Sequence, residues 1–236
     1  MSSIIPSRQL FIVTSALNPN MGVLNREERL QQTIEGLQSL RNRCPDAIVF
    51  LVDGSPEKVE EEKIRGMSHL VNFVADFSND FDITQFASRG MKSQAENVLL
   101  LKTMMLLKQD ASMMRLVQTV NRIYKFSGRT TLNDEFDSSA HNHFGKYVFK
   151  KRMPTWLSGE KAEIFTDLLI TRLFSFCPSL IDDYMIICRR NIGVVNDAGV
   201  DTEHAHFFNM KPELLVELDK IHCQGVMAST GTTEFY

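Results

Sequence analysis

The chain has 236 residues and a formal net charge of −3, from 26 basic and 29 acidic side chains. Hydrophobic residues make up 43% of the sequence and charged residues 23%, values typical of a globular protein with a buried core. This balance gives no support for nucleic-acid binding through bulk charge. The length fits one large domain or two small ones.

The cysteines and the first residues of the chain indicate a cytoplasmic protein. The cysteines are Cys44, Cys177, Cys188 and Cys223. None of them forms a CxxC pair, and a chain of this size does not need disulfides. Residues 1–18 lack the basic start and the small-residue cleavage site of a signal peptide. No apolar run approaches the roughly 20 residues that span a bilayer, so we expect no transmembrane segment, while contact with a membrane surface stays open.

The first part of the chain predicts a unit of strand, helix and strand. Residues 10–18, LFIVTSALN, are typical of a buried strand followed by a polar loop. Asn25 and Glu28 have the spacing of a capping box, and Pro45 helps to end the helix that they begin. Residues 47–52, AIVFLV, are apolar without alternation, as in strands that are covered on both faces of a parallel sheet.

The rest of the chain continues this mixture of strands and helices. We predict further strands at 69–74, 122–126, 146–150 (an edge strand) and 167–176. We predict helices at 56–66, 95–109, from 178 to about 190, and a last helix, PELLVELDKI, that begins at Pro212. No repeat or linker interrupts the pattern, so the prediction is one α/β domain with a mostly parallel central sheet flanked by helices.

The residues that follow the predicted strands are candidates for a binding site, because ligands of open α/β sheets bind beyond the carboxyl ends of the strands. They are Thr14, Ser15 and Asn18, then Asp53, Gly54 and Ser55, and finally Ser127, Gly128 and Arg129. Asp53 can accept a hydrogen bond from a ribose hydroxyl or a base N–H. Gly128 allows the backbone to approach a ligand closely, and Arg129 offers donors that suit phosphate oxygens. Asp-Gly-Ser is also an ordinary turn after a strand, and that alternative stays open.

Five segments, in the same order along the chain, resemble glycosyltransferases of the GT-A nucleotide-sugar fold. Residues 47–57, AIVFLVDGSPE, resemble their second-strand vDDGS segment, and residues 88–97, SRGMKSQAEN, resemble their R-N-G-K-x-x-A-x-N segment. Residues 124–136, YKFSGRTTLNDEF, are similar to the K-x-SGRY-x-L-x-D-x-F segment of bacterial and phage enzymes of surface-polysaccharide type. Residues 201–207, DTEHAHF, and 223–231, CQGVMASTG, are similar to late segments of that group.

The resemblance implies a Rossmann-related GT-A domain over residues 1–236. Its nucleotide-binding part would cover about 1–126 and its acceptor and catalytic part about 127–236. The implied reaction moves a sugar from a nucleotide-sugar donor, such as a UDP-sugar, to a glycan or another hydroxyl acceptor in polysaccharide biosynthesis. Lys92 joins the candidates for the donor site. Glu203 is the first candidate for the base that takes the acceptor proton, and Asp183 is the second.

The metal motif of the metal-dependent members is replaced in this chain. Two carboxylates in their Asp-x-Asp motif hold a divalent ion, Mn²⁺ or Mg²⁺, against the diphosphate. Ser-Gly-Arg stands at that place here, so we expect Arg129 to stabilise the leaving diphosphate without a metal ion. As an alternative, Asp134, Asp137 and His204 would bind the ion. The departure also leaves open a catalytically inactive protein that binds nucleotide sugars.

Two His-x-His pairs predict a different class of protein. They are His141 with His143 and His204 with His206. Histidines two apart on a strand point the same way, so each pair offers two ligands to one metal ion. Together with Glu203 they would form the metal site of a hydrolase or an oxygenase. The first pair lies in SSAHNHFGK, which is typical of a loop and argues against this alternative.

Overall fold

The computed structural model describes residues 8–19, 25–226 and 232–236 of the chain. Its strands are β1 (Gln9–Ser15), β2 (Ile48–Asp53), β3 (Phe73–Asp76), β4 (Arg122–Ser127), β5 (Thr130–Leu132), β6 (Tyr147–Lys150), β7 (Met153–Pro154), β8 (Asp167–Leu168), β9 (Leu173–Phe176), β10 (Leu215–Leu218), β11 (Cys223–Val226) and β12 (Thr233–Phe235). Its α-helices are α1 (Arg26–Arg43), α2 (Glu61–Gly66), α3 (Phe81–Ser88), α4 (Lys92–Gln109), α5 (Ala111–Val117), α6 (Glu160–Ile164), α7 (Ile181–Ala198) and α8 (Thr202–Asn209).

Seven strands form the central sheet, in the order β10-β6-β9-β4-β1-β2-β3. Neighbouring strands pair in parallel, except that β9 is antiparallel to both β4 and β6. This confirms the predicted α/β domain with a mostly parallel central sheet flanked by helices. Because six strands run in one direction, their carboxyl ends and the start of β9 form one edge of the sheet, which we call the carboxyl edge.

The side chains of β1 alternate between two hydrophobic cores. Leu10 and Ile12 belong to a core that α3, α4 and α7 cover, whereas Phe11 and Val13 belong to a core that α1 covers. Every residue of β2 is buried as well. Helices on both faces therefore explain why residues 47–52 are apolar without alternation. Within the described ranges, no helix is both long and apolar enough to cross a membrane.

Helix α1 begins at the predicted capping box and packs closely against β5. The Asn25 side chain accepts from the Glu28 N–H, and the Glu28 carboxylate accepts from the Asn25 N–H. A Cβ atom added at Gly36 would lie 2.6 Å from the Thr130 carbonyl oxygen. Thr130 directly follows Arg129, so this close contact positions α1 beside the segment that leaves β4 at the carboxyl edge.

Several predicted elements differ in detail. The strand predicted at 69–74 begins later, at Phe73. The strand predicted at 167–176 is two short strands, β8 and β9, which belong to different sheets. The predicted edge strand at 146–150 is β6, which lies between β10 and β9 and is not at the edge.

The predicted last helix is wrong. Pro212–Leu214 form one 3-10 turn, and Leu215–Leu218 form β10, which pairs in parallel with β6 at the edge of the sheet. The backbone hydrogen bonds to β6 stabilise an extended conformation that the local sequence does not specify. Tertiary pairing of this kind commonly overrides intrinsic helix propensity.

We expect Gly36→Ala to lower the free energy of unfolding by about 1–3 kcal/mol, because the new methyl group would overlap the Thr130 carbonyl. Gly193→Ala in α7 is the matched control, since an added Cβ there has no atom within 4 Å. It should raise the free energy of unfolding by roughly 0.5–1 kcal/mol through its better helix propensity. Urea titration of both variants measures the difference. Equal stabilisation by both substitutions would contradict the close contact between α1 and β5.

Candidate functional site

A pocket lies at the carboxyl edge, between the ends of β1, β2 and β4, helix α1 and the first turns of α4. The predicted residues that line it are Thr14, Ser15, Gly54, Lys92, Ser127, Gly128 and Arg129. Three further polar residues of the lining, Arg29, Thr33 and Glu96, were not predicted from the sequence. Arg29 and Thr33 lie one helical turn apart on α1, and this spacing in the sequence does not by itself indicate a binding site.

Gly128 is required by the close packing of three chain segments at the floor of the pocket. Its N–H donates to the Thr14 carbonyl at 2.8 Å. A Cβ atom at this position would lie 3.1 Å from the Thr14 carbonyl oxygen and 3.3 Å from the Thr33 hydroxyl oxygen. A larger residue would therefore push β4 away from β1 and α1 and change the shape of the pocket.

Three cationic side chains converge on the pocket. Among the described residues, none of Arg29, Lys92 and Arg129 forms an ion pair. Burial, with the charges of Arg129 and Arg172, lowers the pKa of Arg29 to about 10. Burial, with the charges of Arg129 and Arg29, also lowers the pKa of Lys92. Cations that repel one another in this way favour the binding of an anion between them.

Asp53 supports the wall of the pocket from behind. Its Oδ2 atom accepts from the Ser15 hydroxyl at 2.6 Å and from the Leu17 N–H at 2.9 Å, and its Oδ1 atom accepts from the Ser55 N–H at 3.0 Å. The Ser55 hydroxyl in turn accepts from the Asn18 N–H at 2.9 Å. Asp53, Ser55 and Asn18 are buried, and a direct contact of these three residues with a nucleotide stays a prediction.

Glu203 reaches the carboxyl edge from α8, for which Asp201 is the N-cap. The Thr171 hydroxyl donates to Glu203 Oε1 at 2.8 Å. Burial, with the charges of Glu96 and Asp201, raises the pKa of Glu203 to about 7. The charge of Glu203 also acts on the guanidinium of Arg129 in the pocket. A carboxyl group of this kind exchanges protons near neutral pH, as a general base must.

An ion pair that was not predicted from the sequence joins the pocket wall to the surroundings of Glu203. Lys125 Nζ lies 2.6 Å from Glu96 Oε1 and donates to the Thr171 carbonyl at 2.7 Å. Lys125 is only 2% exposed. Its position inside the buried strand RIYKFS was a usable signal, because a charge in such a strand needs a partner.

Asp183, the second candidate base, lies at the opposite edge of the sheet. Its carboxylate accepts from the Tyr147 hydroxyl at 3.1 Å and from Lys211 Nζ at 2.8 Å. Tyr147 is the first residue of β6 and pairs with Phe176, the last residue of the antiparallel β9. Both lie at the amino ends of the parallel strands, so the structure does not bring Asp183 to the pocket.

The alternative metal ligands Asp134, Asp137 and His204 each have a different partner. The partners are Arg43 for Asp134, Ser139 for Asp137, and Asp201 and Thr155 for His204. Asp134 is exposed, whereas His204 is fully buried. Across residues 8–19, 25–226 and 232–236, no group of three or more His, Cys, Asp and Glu side chains could hold a metal ion.

The two His-x-His pairs lie on opposite faces of the sheet. His141 Nδ1 is 2.9 Å from the Ser175 hydroxyl, whereas the ring of His206 packs against Phe174 at 5.8 Å between centroids. Consecutive residues of β9 face opposite sides, which separates the pairs. His204 and His206 also lie on α8 and not on a strand. The structure therefore contradicts the four-histidine metal site.

Comparison with known proteins finds similar folds among solved structures. No family model matches the chain, and no curated protein matches it. One of these structures is a glycosyltransferase involved in the glycosylation of the major capsid of PBCV-1. It is 11% identical, the match covers 91% of this chain and 82% of that chain, and the TM-score is 0.44. A likeness at this level carries no argument about function, so the functional assignment depends on the pocket.

We expect Glu203→Gln to remove a pH-dependent loss of stability. The folded-state pKa is raised from the ordinary value of 4.5 to about 7, so the charged form is disfavoured in the folded protein. The neutral carboxyl group therefore stabilises the folded protein fully below pH 4.5, and this stabilisation is lost as the pH rises to about 7. The variant should therefore gain about 3 kcal/mol in unfolding free energy, relative to the unchanged protein, across this interval.

Urea titrations at a series of pH values measure this relative stability. Glu213→Gln is the matched control, because Glu213 is exposed. Its stability relative to the unchanged protein should not vary over the same interval. A Glu203→Gln variant that follows the pH dependence of the unchanged protein would contradict the raised pKa.

Proposed function

We propose that this protein is a glycosyltransferase of the GT-A type that binds a nucleotide-sugar donor in the pocket at the carboxyl edge. The donor diphosphate lies against Arg29, Lys92 and Arg129, and the sugar is transferred to a glycan or another hydroxyl acceptor. One observation carries the proposal: the three cations converge beyond the ends of parallel strands and have no ion-pair partner among the residues that the structure describes. A ligand group with several negative charges, such as a diphosphate, would neutralise these three positive charges.

The two sides of the pocket differ in a way that suits a nucleotide. On the β2 side, Gly54 lies against Leu99, with Ala95 and Pro56 nearby in the lining, so this side is mainly apolar. On the β4 side lies Arg129. The strand order β4-β1-β2 separates the two sides by roughly 10 Å, which is two strand spacings. We place the base on the apolar side and the diphosphate on the cationic side.

The residues of the pocket do not fit a divalent metal ion. Among the described residues that line it, Glu96 is the one carboxylate, and Lys125 already pairs with it at 2.6 Å. Ser127, Gly128 and Arg129 at the end of β4 offer no carboxylate ligand. The negative charge of the donor is therefore met by cations of the chain, and we assign no step to Mn²⁺ or Mg²⁺.

The proposed transfer uses the cations and Glu203 in different roles. The acceptor oxygen forms a bond to the anomeric carbon of the sugar while the bond from that carbon to the diphosphate oxygen breaks. Arg129, Lys92 and Arg29 stabilise the charge that develops on the departing diphosphate. Glu203 takes the proton of the acceptor hydroxyl, a role that its pKa of about 7 supports.

We expect Arg129→Ala to weaken UDP binding by roughly tenfold to a hundredfold, because charged hydrogen bonds to phosphate are typically worth ~1.5–3 kcal/mol. Binding of uridine, which lacks phosphates, should change little. Arg129→Lys should retain part of the affinity, since lysine keeps the charge but cannot bind two phosphate oxygens with a planar fork. Calorimetric titration of UDP and uridine, with and without a chelator, measures these affinities.

Arg190→Ala is the matched control, because Arg190 is exposed on α7 and should leave UDP affinity unchanged. An Arg129→Ala protein that loses stability but keeps the original ratio of UDP to uridine affinity would show that Arg129 has a structural role. A strict requirement for manganese would contradict the metal-free arrangement. Release of UDP from UDP-sugars distinguishes a transferase from an inactive binding protein, which would bind UDP without turnover.

A further inference from the structure

Four groups, of which Lys125 and Thr171 are buried and Glu96 and Glu203 half-buried, form a continuous series of contacts from the wall of the pocket to Glu203. Glu96 on α4 pairs with Lys125 of β4 at 2.6 Å. Lys125 donates to the Thr171 carbonyl at 2.7 Å, and the Thr171 hydroxyl donates to Glu203 at 2.8 Å. The series therefore crosses from one helix through the sheet to another, and it begins at a residue that a bound donor would contact.

The Lys125 ammonium determines how the two carboxylates differ. Burial acts to raise the pKa of Glu96, but the charge and hydrogen bond of Lys125 lower it overall, so Glu96 is ionised. Glu203 receives a neutral hydroxyl as its donor and has the negative charge of Glu96 nearby. Two neighbouring carboxyl groups with separated pKa values are a usual arrangement for acid and base chemistry.

Charged groups act on Glu203 and on its neighbours from several elements. Glu96 on α4 and Asp201 before α8 act on the Glu203 carboxyl group, and Glu203 interacts with Arg129 after β4. Lys125 on β4 and His206 on α8 act on Glu96, and Arg172, which follows Thr171, acts on Arg129. Burial lowers the pKa of His206 to about 4, so this ring is neutral near pH 7. Arg129 therefore provides attraction to Glu203 from within the pocket, and Glu96 provides repulsion.

We propose that Glu96 and Lys125 are positioning residues that couple the proton on Glu203 to the occupation of the pocket. This rests on the proposed function, since it assigns the donor diphosphate to the pocket. A diphosphate beside Arg129 neutralises the cation that attracts the Glu203 carboxylate, while the charge of Glu96 stays in place. Donor binding then makes Glu203 a stronger base, and by reciprocity a proton on Glu203 strengthens donor binding.

The first test uses the protein without ligand, and so does not depend on the proposed function. The titration of Glu203 is followed by NMR of isotope-labelled glutamate carboxyl carbons, and Glu203→Gln assigns the signal. Glu96→Gln should lower the midpoint by about one pH unit, because it removes a negative charge and leaves Lys125 unpaired. Glu163→Gln, at an exposed position, is the matched control and should leave the midpoint unchanged.

A second variant keeps this test decisive if an unpaired Lys125 prevents folding. Glu96→Gln combined with Lys125→Met removes both charges, and its midpoint should lie below that of the unchanged protein but above that of Glu96→Gln. A midpoint that neither variant moves would overturn the positioning role, whatever UDP does.

The second test adds UDP. The Glu203 midpoint should rise, and calorimetry near pH 7 in buffers of different ionisation enthalpy should show proton uptake that Glu203→Gln abolishes. UDP that binds without moving the midpoint would overturn the coupling. UDP that does not bind to the unchanged protein would overturn the proposed function, while a midpoint lowered in Glu96→Gln would still support the positioning role of Glu96.

Discussion

The ammonium group of Lys125 is buried in the middle of β4, and the segments around the site are arranged to satisfy it. An unpaired charge in a strand with helices on both sides would cost several kcal/mol, so a carboxylate and carbonyl oxygens have to lie nearby. Glu96 and the Thr171 carbonyl meet this requirement. As a result α4, β4 and the segment before β9 are fixed relative to one another, and Glu203 is placed against Thr171.

The polar groups at the carboxyl edge form two sets, one that is hydrogen-bonded within the protein and one without ion-pair partners among the described residues. Asp53 accepts three hydrogen bonds from its own surroundings, and it stabilises the loop after β1. Arg29, Lys92 and Arg129 have no carboxylate at ion-pair distance within the described part of the chain. The first set keeps the pocket wall in place, and the second set leaves a positive potential that a diphosphate can satisfy. Of these three cations Arg29 is buried, and a buried charge normally has a counter-charge, so its lack of one among the described residues points to an anionic ligand.

The same edge depends on close packing as well as on charge. Gly36 lets α1 come against β5, and Gly128 lets the end of β4 come against β1 and α1. These contacts bring Arg29, which lies two helical turns before Gly36, close to the end of β4. The position of this cation in the pocket is therefore a consequence of backbone contacts that only glycine permits.

The sequence by itself determined the sheet class, the capping box of α1 and the residues that follow β1, β2 and β4, because these depend on local patterns of apolar and polar residues. Tertiary structure alone decided that 215–218 is a strand, since its stabilising partner is β6. It likewise decided that Asp183 faces away from the pocket, and that Arg29 and Glu96 face into it. Which distant side chains meet depends on how helices pack on the sheet, and no local spacing in the sequence records that.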